Sequence, residues 1–475
     1  MTFVEEPGKA TTPGEQKDQG EVRLEASAIE TQIPSPRETQ SEGENENERL
    51  LLFSDGIIAF TITLATISIR LPSGKETTEL PTLLAELLPN ILTYVIGFVI
   101  VGSYWYEHWR LFRYIKHSTT TLVVRNLLFL ASLVLLPFLS HYYGGNFYLN
   151  GDRDRGYLFI TTLLFYTFLL VTGILLWLVW RYVSRKHRLI DEALSPSVVR
   201  NTNLRLLRVP LAIIIYLVAF MVFDANLTAS VLPVIVFLLI WEGVRRFLLR
   251  RTLSLKPTDT RRLVIFSDCV MAIAITLVAA QLELPELKFG ANIEEVITGP
   301  TVEHLSSILF IYLVAFLNIG IHWMSHYHMF RIIKRSNAWL VVLNFAFLLC
   351  ITLLFLPTSA SLQYDSVFAS RFYYLAQTIT ASLLVLMWVY AIQKHRLLDE
   401  SADSTRIRRT TVRLVRNLLI FAALAVLTFI VSTPIDILAY FYVYLLGEFV
   451  AFAIHRVQRR KLSSVEKEDL KSTRK

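Results

Sequence analysis

Two polar sets, one in each half of the chain, combine a carboxylate, an imidazole and a primary amide. In the first half these are Asp55, His108 and Asn126, and Arg49 opens the string that ends at Asp55. Such groups exchange hydrogen bonds and pair with a guanidinium, and a histidine also titrates near neutral pH. The favoured chemistry is therefore charge pairing and hydrogen bonding between helices, with a gating or pH-sensing role as the alternative.

The second set repeats the first at fixed offsets. The string from Arg49 to Asp55 recurs 213 residues later, and the residues that follow recur 218 residues later, which indicates an internal duplication. We interpret each set as an interhelical network that fixes the first helix of its half. The two sets are Arg49, Phe53, Ser54, Asp55, Trp105, His108 and Asn126, and Arg262, Phe266, Ser267, Asp268, Trp323, His326 and Asn344.

The elements that position these sets are membrane-spanning helices. The mean hydropathy is +0.47, with 53% hydrophobic and 18% charged residues, and the apolar runs have the length of a bilayer core. We predict an all-α polytopic membrane protein with two parallel six-helix repeats. The twelve predicted spans are 51–71, 83–107, 121–143, 156–181, 203–223, 228–247, 263–285, 303–327, 338–360, 370–391, 412–432 and 435–456.

The charge pattern divides the chain and orients it. Residues 1–48 carry a net charge of −8 and predict a disordered acidic tail, followed by repeats at 49–250 and 251–456 and a basic tail at 457–475. Basic residues concentrate in the loops on the side of the termini, so both termini are expected in the cytosol. Because these residues lie at helix ends, they favour contact with lipid headgroups and not with nucleic acid.

Repeats of six helices enter the membrane with the same orientation and suit a ring around an axis normal to the membrane. Two repeats make half of a four-fold ring, so we expect two chains to form a pseudo-tetramer around one path. A monomer with a path between its two halves is the alternative.

The first span of each repeat is the candidate lining of that path. Counted from the aspartate, positions +1, +5, +8 and +12 share one helical face, although small and hydroxyl residues there fit ordinary helix packing equally well. Apolar side chains at +5 and +12 predict a constriction, and hydroxyls at +8 predict a weakly coordinating ring. The constriction residues are Phe60, Ile67, Ile273 and Ala280, and the hydroxyl residues are Thr63 and Thr276.

Other classes of function have weaker support in the sequence. No nucleophile–base pair, phosphate loop or metal-ligand spacing occurs, so we expect neither an enzyme nor a bound cofactor or metal. The trio His322, His326 and His328 lacks acidic or cysteine neighbours that would favour zinc. A secondary transporter and a non-conducting scaffold stay open, but the first helices carry no ionisable residue or Gly/Pro break at mid-membrane.

The duplicated string, with Trp-x-x-His ending the second span and Asn beginning the third, resembles the transmembrane protein 175 family of endolysosomal potassium channels over residues 49–456. The resemblance implies a potassium-permeable, leak-like channel that also passes protons and assembles as a homodimer in endosomal or lysosomal membranes. A plasma or vacuolar membrane has equivalent topology. The resemblance also implies that the +5 residue forms the constriction and that threonine at +8 contributes to selectivity. Phe60 departs from the aliphatic residue usual at +5.

Overall fold

The computed structural model describes residues 36–69, 80–148, 155–186, 189–190, 194–223, 227–248, 258–280, 300–393, 397–400 and 402–435, with isolated positions between 437 and 450. Almost all of the secondary structure in these ranges is α-helical. Short antiparallel strands pair β1 (Thr258–Asp259) with β2 (Arg335–Ser336).

The helices of the first repeat follow one another with short connections. They are α1 (Pro36–Leu64, continued by a 3-10 turn at Ala65–Ser68), α2 (Leu80–Phe112), α3 (Thr120–Tyr148), α4 (Arg155–Arg185), α5 (Pro196–Val222) and α6 (Leu227–Leu248). The second repeat contributes α7 (Arg261–Ala280), α8 (Pro300–Phe330), α9 (Ala338–Leu353), α10 (Phe355–Gln363), α11 (Val367–Gln393) and α12 (Ser404–Ile430).

The structure confirms the predicted fold class. Among the described residues, ten segments are long and apolar enough to cross a membrane, with α9 and α10 counted as one, and a shorter apolar stretch lies at Ala229–Glu242 in α6. The span predicted at 435–456 and the tail predicted at 457–475 lie largely or wholly outside the described residues. The break between α9 and α10 follows from Pro357, which cannot donate a hydrogen bond to the carbonyl of Leu353.

The structure differs from the prediction at the end of the acidic tail. We predicted disorder through residue 48, but α1 already begins at Pro36. Proline is well suited to the first turn of a helix, and the glutamates that follow are good helix formers. Once the membrane span supplies a stable nucleus, extending the helix costs little. Residues 1–35 lie outside the described part of the chain.

The two repeats share one hydrophobic core. Helix α1 packs along α7, and α2 contacts α9. The phenolic hydroxyl of Tyr94 in α2 donates a 2.7 Å hydrogen bond to the hydroxyl of Thr352 in α9. Equivalent loops form matching bridges, Ile115 with Ile190 and Ile333 with Leu398, next to the starts of the spans in α1 and α7. Because Arg262 near the start of α7 bonds to Asp55 of α1, both repeats begin at the same end of the molecule.

Candidate functional site at the start of the first helices

The carboxylate of Asp55, on α1, is fully buried and receives three hydrogen bonds. The indole Nε1 of Trp105 donates to Oδ1 at 2.8 Å. The guanidinium of Arg262, on α7, donates from Nε to Oδ2 and from an Nη to Oδ1, both at 2.7 Å. A bidentate pair of this kind satisfies both carboxylate oxygens and fixes the relative orientation of the two helices. The pair therefore joins the second repeat to the first.

A directed chain of hydrogen bonds continues from the same guanidinium. Arg262 has only donors, so its 2.8 Å contact makes Nδ1 of His108 an acceptor. The other ring nitrogen, Nε2, then donates to Oδ1 of Asn126 at 2.9 Å. The amide of Asn126 donates to the hydroxyl of Ser54 at 2.8 Å, and that hydroxyl donates to the carbonyl of Leu50. Every bond in this chain fits a neutral His108 protonated at Nε2.

Aromatic side chains cover the ion pair. Phe266 of α7 stacks on Trp105 of α2 with ring centroids 4.3 Å apart, and Phe345 of α9 lies 5.3 Å from the same indole. Phe345 comes so close to the backbone of α2 that a Cβ on Gly102 would lie 2.6 Å from its ring. Water is thereby excluded from the carboxylate, which strengthens its pairing with the guanidinium.

The second repeat builds the same network only in part. Nε1 of Trp323 donates to Asp268 at 2.9 Å, His326 joins Asn344 at 3.0 Å, and Asn344 donates to Ser267 at 2.8 Å. Within the described residues, however, Nδ1 of His326 is buried without a hydrogen-bond partner. No guanidinium of the described part of the chain reaches Asp268 as Arg262 reaches Asp55.

Two predicted network members lie apart from their sets. Arg49 and Phe53 are exposed on α1, the latter by 53% of its surface. The duplicated string groups Arg262 with Asp268, but the structure pairs it with Asp55. Phe345 and Gly102, which also contact this network, were not predicted from the sequence. The recurrence of Gly102 as Gly320 at the common offset of 218 residues was the available signal for the glycine.

The predicted constriction residues lie on or near the open surface of the single chain. Phe60 is 45% exposed, and Ile67 and Ile273 are partly exposed. The side chain of Ala280 lies outside the described part of the structure. No charged residue follows Asp55 in α1 or Asp268 in α7 before the helix ends.

The two threonines at +8 have different surroundings. Thr63 is fully buried, with its hydroxyl donating to the carbonyls of Ala59 at 2.9 Å and Phe60 at 3.0 Å, whereas Thr276 is exposed and donates to the carbonyl of Ile273 at 2.9 Å. The expected exposure of Thr63 on a shared open face is therefore not found in the single chain. The +8 position lies at the edge of that face, towards the flank on which α1 also buries Asp55.

The fold and this site define an all-α polytopic membrane protein of two repeats, each opening with a helix anchored by a carboxylate, a tryptophan, a histidine and an asparagine. Each repeat contains a segment that matches the TMEM175 family. The family model described as "Endosomal/lysosomal potassium channel TMEM175" matches residues 49–137 and 262–355, which contain both networks.

Individual relatives match over different lengths. A protein of Chryseobacterium sp. (strain P1-3) named a potassium channel is 32% identical over 122 residues, covering 26% of this chain and 62% of the relative. One from Streptomyces collinus, also named a potassium channel, is 26% identical over 34% of this chain and 76% of its own length. The human protein named "Endosomal/lysosomal proton channel TMEM175" is 23% identical over 65% of this chain and 64% of its own length.

Proposed function

We propose that the chain forms a cation channel for potassium, with the first helix of each repeat, α1 and α7, lining the path. The observation that carries the proposal is the packing of these helices side by side, joined at one end by Arg262 and Asp55. Beyond the aspartates both helices are free of charge, so an ion would meet neutral side chains in transit. The potassium-channel names of bacterial relatives support the same function.

The path forms between two chains in this proposal. One chain supplies two of the four first helices that a ring needs, and a two-fold axis supplies the others. Phe60 and Ile273 then face the axis at equivalent depths, with Ile67 and Ala280 two turns further along. Bulky apolar side chains at a narrow point restrict ion flow by excluding water. We assign the constriction to Phe60 and Ile273.

The threonines at +8 lie between the constriction face and the flank of each helix. Both hydroxyls donate their hydrogen bond to a backbone carbonyl. The lone pairs of each hydroxyl oxygen can therefore accept a hydrogen bond from water or contact a cation. We assign the larger contribution to Thr276, because Thr63 is buried against its own chain.

Protons are proposed as a second permeant ion. The support is the name of the human relative, "Endosomal/lysosomal proton channel TMEM175". We propose an endosomal or lysosomal membrane for this chain on the same basis. The concentration of basic residues in the loops on the side of the termini supports a cytosolic position for both termini. A plasma or vacuolar membrane would keep this topology.

The first test is the reversal potential of the purified protein in a planar bilayer with potassium on one side and sodium on the other. We expect a current that reverses towards the potassium equilibrium potential. A current that reverses near zero would contradict potassium selectivity but not conduction. No current above that of protein-free bilayers would favour a transporter or a scaffold.

The same recording tests the threonines separately. Thr276→Ala should bring the reversal potential closer to zero than wild type, and Thr63→Ala should shift it less. Equal reversal potentials for wild type and both variants would remove the threonines from the selectivity mechanism while leaving the conduction path untouched.

A further inference from the structure

The first repeat holds two cations over one aromatic ring, where α3 begins and α4 ends. The guanidinium carbon of Arg125, on α3, lies 4.6 Å from the ring centroid of Tyr182, on α4. The ammonium of Lys186, directly after α4, lies 5.6 Å from the same centroid. An aromatic ring attracts a cation, so this tyrosine keeps two like charges close together. We name Arg125, Tyr182 and Lys186 the paired-cation site.

No carboxylate balances these two charges within the described residues. The ion pairs in the described part of the chain involve other cations, and neither Arg125 nor Lys186 takes part in one. Like charges held close together repel each other, and the repulsion grows as the surroundings become less polar. An anion bound between the two cations would turn this repulsion into attraction.

Most hydrogen-bond donors of the paired-cation site are unused within the described residues. A guanidinium has five N–H donors, and Arg125 donates one hydrogen bond, to the backbone carbonyl of Leu178 at 3.2 Å. The ammonium of Lys186 has no hydrogen-bond acceptor among the described residues. Arg125 is partly exposed and Lys186 is exposed, so the remaining donors reach the surface. Phosphate oxygens are the acceptors that such a pair of cations favours.

The tyrosine itself has a structural role that both repeats share. The hydroxyl of Tyr182 lies 3.2 Å from the hydroxyl of Thr119, which precedes α3. In the second repeat the amide of Asn337 donates to the hydroxyl of Tyr390 at 2.8 Å, which links the corresponding elements. Tyr182 is therefore fixed without the cations, and the cations are an addition to this link.

The second repeat has the tyrosine but not the arginine. At the offset of 218 residues the counterpart of Arg125 is Leu343, which is also partly exposed. Lys186 recurs as Lys394, which lies outside the described residues. Since α9 packs against α11 with a leucine at this position, the shared fold does not require an arginine there.

The paired-cation site lies next to apolar surface that a lipid can cover. Arg125 is in the second turn of α3 and Lys186 directly follows α4, so both lie at the end of these helices that is predicted to face the cytosol. Two neighbours of Arg125 on α3, Val124 and Leu128, are 49% and 53% exposed. Cations beside exposed apolar side chains suit a molecule with an anionic head and an acyl chain.

We propose that the paired-cation site binds an anionic phospholipid, with its phosphate between Arg125 and Lys186 and an acyl chain along Val124 and Leu128. The occupant is a lipid and not a free phosphate, because apolar surface continues directly from the cations into the membrane span. Each chain binds one such lipid at the first repeat and none at the corresponding place in the second. This binding does not depend on ion conduction.

Native mass spectrometry of the purified protein tests the site by counting bound lipids. The probe is dioleoyl phosphatidylglycerol, and dioleoyl phosphatidylcholine is the control lipid with the same chains and no net charge. We expect one tightly bound phosphatidylglycerol per chain, and Arg125→Leu should weaken its binding by about tenfold. Leucine is the residue that the second repeat has here, so this variant should fold. Equal phosphatidylglycerol binding by wild type and Arg125→Leu would overturn the proposal.

A second variant and a matched control complete the loss-of-binding test. Lys186→Ala changes an exposed residue beyond the end of α4 and should weaken binding in the same direction, even if Arg125→Leu is unstable. Arg331→Leu is the control, because Arg331 lies 5.8 Å from the ring of Tyr327 with no second cation over that ring in the described part of the chain. An equal loss in Arg331→Leu would mean that general positive charge attracts the lipid, which contradicts a defined site.

The second repeat offers a gain-of-binding test. Leu343→Arg places a guanidinium beside Tyr390 and should raise the number of tightly bound phosphatidylglycerols from one to two per chain. A count that stays at one would contradict the role given to the pair of cations. Glycerol phosphate, the soluble headgroup, should not displace the lipid at equal concentration. Displacement by glycerol phosphate would assign the site to a free phosphate and overturn the lipid.

Discussion

Arg262 holds the carboxylate of Asp55 with two hydrogen bonds of 2.7 Å, although the two residues are 207 positions apart and belong to different repeats. The carboxylate is fully buried and the arginine nearly so, with 14% of its side chain exposed. A charge so placed is tolerated only with its partner in contact. The second copy of the duplicated string therefore joins the two repeats through its arginine, Arg262.

Removing that arginine should destabilise the folded chain strongly. Arg262→Ala leaves the Asp55 carboxylate buried and Nδ1 of His108 unpaired, and we expect a loss of about 3–5 kcal/mol. Thermal unfolding in detergent measures the loss. Arg262→Lys should lie between wild type and alanine, because an ammonium keeps the charge but not the bidentate fork.

The neighbouring arginine is the matched control for this prediction. Arg261 pairs with Glu48, but its side chain is 68% exposed, so Arg261→Ala should change stability by no more than about 1 kcal/mol. An equal loss of unfolding free energy in Arg261→Ala and Arg262→Ala would mean that the buried pair contributes no more to stability than the exposed pair.

The paired glycines of α2 and α8 should respond differently to the same substitution. Gly102→Ala forces the ring of Phe345 out of its stack and should cost about 1–3 kcal/mol, as overpacked positions do. Gly320→Ala meets open space in the single chain and should be close to neutral. Both variants are compared by thermal unfolding where the protein runs as a monomer. A larger loss for Gly320→Ala than for Gly102→Ala would contradict the difference in packing around the two glycines.

The hydroxyl pair between Tyr94 and Thr352 should couple α2 to α9. Tyr94→Phe and Thr352→Val should each destabilise the protein by about 0.5–1.5 kcal/mol, since each leaves a buried hydroxyl without its partner across the repeats. The double variant should lose less than the sum of the single losses. Strict additivity in this double-mutant cycle would show that the 2.7 Å contact contributes nothing.

Truncating the proposed constriction should increase ion flow. Phe60→Ala removes a bulky apolar ring from the path and eases wetting, so we expect a severalfold larger single-channel conductance, with Ile273→Ala acting in the same direction. Leu239→Ala is the control, because Leu239 lies on α6 and is 70% exposed. An unchanged conductance in Phe60→Ala would place the constriction elsewhere along the path.

Hydropathy and the internal repeat were sufficient to predict the fold class and most helix positions. A membrane span is a local property, because twenty or so apolar residues must satisfy their own backbone hydrogen bonds wherever they cross the bilayer. The duplicated string likewise identified the polar residues that the first three helices of each repeat bring together. His108 with Asn126, and His326 with Asn344, lie within hydrogen-bond distance in the structure.

The choice of partners across the repeats was decided only by the tertiary structure. Helical spacing places Arg262 on a face of α7 and Thr63 on a face of α1, but it does not say which neighbouring helix covers that face. The duplication predicted the wrong partner for Arg262, since it grouped this arginine with Asp268. In the folded chain Arg262 pairs with Asp55, Thr63 is buried and Thr276 is exposed. The two repeats share these residues but have different surroundings. Within a single chain the flank of α1 that carries Asp55 and Thr63 is covered, and the corresponding flank of α7 is largely exposed.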